Sequence, residues 1–108
     1  MSASQRAKGR RGQSEAVALL ESRDWLCGDL SAGISSEDIL AVEPGGRLYS
    51  VEVKSQMSIN VPAFRSQAIR NAAKRKKSNW MVMARIDGYS GAWLVLRAGM
   101  APVVWSAN

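Results

Sequence analysis

The stretch Asp38-Ile39-Leu40-Ala41-Val42-Glu43-Pro44-Gly45-Gly46-Arg47-Leu48-Tyr49-Ser50-Val51-Glu52-Val53-Lys54 decides how this chain folds. Two apolar-rich runs, residues 39–42 and 48–53, flank Pro44-Gly45-Gly46, and a Pro-Gly-Gly tract between such runs is a strong turn signal. The stretch predicts a β-hairpin. With a three-residue loop, a type I turn followed by a left-handed Gly46, Glu43 pairs with Arg47. Counting outward along both strands puts Ile39 opposite Val51 and Asp38 opposite Glu52.

That register has a chemical consequence. Directly opposed residues share one face of a sheet, with Cβ atoms about 4.5–5.5 Å apart. Two carboxylates so placed repel each other, and a divalent cation relieves the repulsion, because carboxylate oxygens are natural ligands of Mg²⁺. Lys54 follows Glu52 by two residues and projects from the same face, while Val51 and Val53 point to the other. A register one residue different would put Asp38 and Glu52 on opposite faces. The competing reading is a surface strand of alternating charge; Asp38 in register, the double-glycine turn and Glu15 on the preceding helix together favour a site.

Outward from the hairpin, Ala16, Leu19, Leu20 and Arg23 recur at helical spacing and predict a helix over 13–23. Glu15 lies one turn before Leu19, at the edge of the inward face. An acid in a first turn also suits the helix dipole. Residues 1–12, with Arg6, Lys8, Arg10 and Arg11 among small residues, read as a flexible basic arm ahead of a single domain over 13–108. Arg10 and Arg11 are its candidate DNA contacts, against a solvated tail with no role. Residues 24–30, with Trp25, Leu26 and Cys27, predict a strand, and 31–36 a small polar connector.

Behind Pro62, residues 63–77 predict a second helix with Phe64, Ala68, Ile69, Ala72 and Ala73 as its apolar stripe. Its other side carries Arg65, Arg70, Lys74, Arg75, Lys76 and Lys77. Residues 80–85 and 92–96 predict strands joined by a turn at Asp87-Gly88, with 103–105 a candidate for a last short strand. The order α-β-β-β-α-β-β is that of an α/β domain, a mixed central β-sheet flanked by helices. The four tryptophans, Trp25, Trp80, Trp93 and Trp105, sit in apolar strands and read as core or interface.

The 108 residues suit one domain, and the 46% hydrophobic and 22% charged residues are a globular rather than a disordered balance. No apolar run is long enough to cross a bilayer, so no membrane is expected. With Cys27 as the lone cysteine, no internal disulfide or cysteine zinc cluster can form, and a cytoplasmic setting fits. The net charge of +6 favours a polyanionic partner, nucleic acid first. The absence of histidine excludes His-activated nucleophiles and His-rich metal sites, leaving carboxylates, Lys, Ser, Tyr or a metal to carry any chemistry.

Asp38, a thirteen-residue gap and then Glu52-Val53-Lys54 resemble the PD-(D/E)XK nuclease signature, and Glu15 matches the glutamate on the first helix of that superfamily. The element order most resembles archaeal-type Holliday junction resolvases and related phage nucleases, over residues 9 to 96. The chain departs from the pattern at Glu37, where Pro often stands, and at Asn71, where the RecB-like branch has Tyr four residues after its Gln, here Gln67. In the resolvase-like branch a serine lies in the loop before the aspartate; Ser31 is the better match and Ser35 its competitor.

The resemblance implies a restriction-endonuclease-like core and Mg²⁺-dependent hydrolysis of DNA phosphodiesters, with Mn²⁺ as a substitute. Asp38, Glu52 and the Val53 carbonyl would bind the metal, and Glu15 would complete its sphere directly or through water. Lys54 would position or deprotonate the attacking water, or stabilise the charge on phosphorus. Ser31 would contact a phosphate or orient a ligand. Arg65, Gln67, Arg70 and the run Lys74-Arg75-Lys76-Lys77 are candidate backbone contacts, against a solvated helix face. A homodimer would present two sites to a branched substrate such as a Holliday junction. The alternatives are a phage or restriction-type nuclease acting on flaps, ends or duplex DNA, and a non-catalytic basic DNA-binding module.

Overall fold

The computed structural model describes residues 3–29, 38–74, 79–86 and 91–106, with side chains from residue 12 onward except those of residues 29 and 38. Its elements run α1 (Ala3–Ser22), β1 (Leu26–Asp29), β2 (Asp38–Val42), β3 (Leu48–Gln56), α2 (Val61–Lys74), β4 (Trp80–Ile86), β5 (Ala92–Arg97) and β6 (Val103–Ser106). The fold is α/β, a six-stranded mixed sheet with two helices. The closing strand β6 extends the predicted order by one element.

The hairpin has the expected register. Glu43 N–H donates to the Arg47 carbonyl at 2.9 Å, and Gly46 N–H donates to the Glu43 carbonyl at 2.8 Å. Gly46 has φ 97°, where a Cβ would be strained. The ladder from that turn pairs Ile39 with Val51 and Asp38 with Glu52.

The six strands lie side by side in chain order. Every neighbouring pair is antiparallel except β3 and β4, which are parallel. Parallel neighbours need a crossover, and α2 lies in that connection. The period-two alternation of β3 and β4 divides the core between the sheet's faces. On one face Val51, Val53, Met81 and Met83 pack with Ala16, Leu19 and Leu20 of α1. On the other, Val82, Ala84 and Leu96 pack with Phe64 and Ala68 of α2.

Four local expectations are corrected. The first helix is longer than predicted: α1 begins at Ala3 rather than at residue 13. Glycine in a helix costs about 1 kcal/mol relative to alanine, and α1 carries two, Gly9 and Gly12. Gly12 is buried where the helix crosses β3, and a Cβ there would meet the Ser55 Cβ at 3.4 Å. Asp24 does not open a strand. It ends α1 in the left-handed region, at φ 67°, while Trp25 N–H reaches back to the Leu20 carbonyl at 3.1 Å. On α2 the buried stripe narrows to Phe64, Ala68 and Ala72, leaving Ile69 and Ala73 exposed. Asn60 starts that helix two residues earlier than predicted, its Oδ1 accepting from Ala63 N–H at 3.2 Å.

Trp25, Trp93 and Trp105 are core residues, as expected. The turn at Asp87-Gly88 lies outside the described residues. Among the described residues no helix is long and apolar enough to cross a membrane.

Candidate active site

Glu52 and Lys54 sit on β3 with only 1% and 7% of their surface exposed. Burying a carboxylate or an ammonium costs several kcal/mol unless partners replace the lost water. Both have partners. Asn71 of α2 donates a hydrogen bond from Nδ2 to Oε1 of Glu52, and Lys54 Nζ lies 5.9 Å from the Phe64 ring centroid, also on α2. Neither charged group is left alone in its environment. These contacts put Glu52 and Lys54 together on the α2 face of the sheet, as their two-residue spacing predicts.

Asp38 enters the same region by register, as the cross-strand partner of Glu52. It is the first described residue of β2, and β3 continues beside β4 as far as Gln56. Backbone groups alternate sides along a strand. The Arg47 carbonyl accepts from Glu43 on the β2 side, and Ser50 N–H donates to Asn79 on the β4 side. Odd-numbered residues of β3 therefore turn their carbonyls toward β2. The Val53 carbonyl is directed to that side, one residue past Asp38.

Gln67 and Asn71 stand one helical turn apart on the half-buried flank of α2, while Arg65, Arg70 and Lys74 are exposed. Those cations form an outer basic surface over a polar inner flank. Ser31, Ser35 and Glu37 lie outside the described residues, as do Arg75, Lys76 and Lys77. Arg10 and Arg11 belong to the α1 backbone.

Glu15 does not join Glu52 and Lys54. Its carboxylate pairs with Arg85 of β4. Arg85 Nε donates to Ser55 Oγ at 3.2 Å, and the guanidinium carbon lies 4.5 Å from the Trp93 ring centroid. Trp93 belongs to the α1-side core, so the sheet separates this cluster from Glu52. A helix edge looks the same in sequence whichever sheet face it covers. Only the packing of α1 on the Val51 and Val53 side reveals the split.

Asn71 is the site residue that the sequence reading passed over, noted there only as a departure from Tyr. Its signal was position: a polar residue four after Gln67, flanking the stripe of Phe64, Ala68 and Ala72. Among the described side chains no group of three or more Cys, Asp or Glu converges. Cys27 is not an activated nucleophile. Burial, and secondarily the charge of Glu21, push its thiol pKa up, away from the reactive thiolate.

No protein-family model and no curated protein sequence matches this chain.

Proposed function

We propose that this chain is a metal-dependent endodeoxyribonuclease on a restriction-endonuclease-like core, with Asp38, Glu52 and Lys54 at its centre. The observation that carries the reading is the burial of a carboxylate and an ammonium two residues apart on β3, with an aspartate of β2 in register with the carboxylate. A fold has little reason to bury two charges so close to a second acid unless they do chemistry.

The donor set fits a hard divalent cation. Asp38, Glu52 and the Val53 carbonyl would hold Mg²⁺, or Mn²⁺ in its place. When bound, the ion supplies Lewis acidity to the phosphate and lowers the pKa of a coordinated water. Lys54 stabilises the negative charge that develops on the phosphate oxygens. Asn71 fixes one oxygen of Glu52 and orients the other. Arg65, Arg70 and Lys74 draw the backbone toward the α2 face. The preferred substrate is branched DNA such as a Holliday junction, cut by a homodimer in the cytoplasm.

Incubating the protein with Mg²⁺ or Mn²⁺ on four-way junctions and linear duplexes tests this. Paired symmetric nicks on the junction, with poor cutting of the duplex, are the expected result. Cutting of flaps, ends or duplex instead would favour a phage or restriction-type activity. One observation favours a second reading: Glu15, the helical acid of the resemblance, is engaged by Arg85 on the other face. A non-catalytic DNA-binding module follows if no DNA substrate is cut.

A further inference from the structure

At the far end of the hairpin, on the α1 face, a surface pocket opens between the end of α1, the β2–β3 turn and the ends of β5 and β6. Arg23, Arg97, Trp105 and Glu43 are among its lining residues. The Arg23 guanidinium carbon lies 4.3 Å from the Trp105 ring centroid and that of Arg97 lies 5.4 Å from it. Two cations share one ring. The ring's negative face attracts each of them but does not remove their mutual repulsion.

Among the described residues neither guanidinium has a carboxylate within ion-pair distance. Glu43 lines the pocket but turns back over its own turn. It lies 3.9 Å from Arg47 Nε, and its Oε1 is 3.4 Å from where a Gly45 Cβ would stand. A guanidinium lying against an aromatic ring still offers its N–H groups at the edge, in the fork that matches phosphate. Trp105 is only 7% exposed and packs on Trp25 at 5.9 Å, so the ring is not a platform for a base.

We propose that this pocket binds a backbone phosphate of nucleic acid, held by Arg23 and Arg97 against Trp105. The choice of a phosphodiester rests on the nuclease reading; the anion site itself does not. The pocket lies across the sheet from Glu52, so it would grip backbone flanking the cut rather than the scissile phosphate.

The test uses the full chain carrying Glu52→Ala, with labelled four-way junction and duplex titrated across a salt series. The double variant Arg23→Gln/Arg97→Gln should bind about ten-fold more weakly, with a salt slope shallower by about one. Its melting curve shows whether it still folds. A second measurement needs no arginine variant: the Trp105 indole N–H resonance, identified with Trp105→Phe, should shift when DNA is added. Unchanged affinity and slope in a folded variant, an unmoved Trp105 resonance with DNA bound, or no DNA binding at all would overturn the site. A shift of that resonance by inorganic phosphate, without loss of DNA affinity in the variant, would overturn the nucleic-acid assignment. If DNA binds through the arginines but the chain with Glu52 intact never cuts it in Mg²⁺ or Mn²⁺, the nuclease reading fails and this site stands.

Discussion

Asn71 on α2 donates a hydrogen bond from Nδ2 to Oε1 of Glu52, a carboxylate that is 1% exposed on the middle strand of the candidate site. The bond spans the gap between helix and sheet. It fixes the rotation of the carboxylate, which a metal ligand needs. Groups that orient ligands in this way typically change metal affinity or activity by about ten- to a hundred-fold when removed. Asn71→Ala should lower the single-turnover cleavage rate and weaken apparent Mg²⁺ affinity within that range. Asn71→Asp should do more damage, since it sets a second negative charge against Glu52. Rates and metal titrations like those of the unsubstituted chain would remove Asn71 from the site.

Glu15 gives the opposite expectation. Its partner Arg85 is 8% exposed and lies across the sheet from Glu52. Glu15→Gln should therefore act on stability, not on chemistry. The Glu15 side chain is 41% exposed, so solvent screens the pair and the loss should be about 1 kcal/mol. That corresponds to a Tm lower by about 4–8 °C for a domain of this size. Cleavage at a temperature where the variant is folded should stay within a few-fold of the original. Abolished cleavage with an unchanged Tm would return Glu15 to the metal.

Asp24 adopts φ 67° at the end of α1. The left-handed region costs an ordinary residue about 1–2 kcal/mol, partly offset in glycine by its greater entropy loss on folding. Asp24→Gly should stabilise the fold by about 0.5–1 kcal/mol. Chemical denaturation reads this directly as a higher midpoint with an unchanged slope.

Cys27 has a raised pKa, from burial first and the nearby Glu21 charge second. The folded chain thus holds the thiol proton more tightly than the unfolded chain. Stability is unaffected at neutral pH and falls once the pH rises above the ordinary thiol range. Cys27→Ser should flatten that alkaline decline, and alkylation of the native thiol at neutral pH should be slower than that of an unfolded cysteine. Urea denaturation at neutral and alkaline pH, beside a timed alkylation, checks both.

How much was legible in sequence depended on whether the signal was local. Pro44-Gly45-Gly46 specifies its turn through glycine's access to positive φ, and that turn fixes the pairing of Asp38 with Glu52 from four strand residues away. The placement of Lys54 beside Glu52 follows from the two-residue period of a strand. By contrast, the benefit of Gly12 is tertiary and has no local signal: it lets α1 approach Ser55. The contacts of Glu15 and Asn71 were hidden for the same reason. Each stands at the edge of a helix, and nothing in the local pattern says which sheet face that helix covers.

The central claim is that Glu52 holds the cation at a DNA-cutting site, and its most direct test is Mg²⁺-dependent cleavage by the chain and by Glu52→Ala on the same four-way junction. Cutting by the unsubstituted chain, and none by a folded Glu52→Ala that still binds the junction, is the expected result. Equal cutting by the two proteins would contradict it.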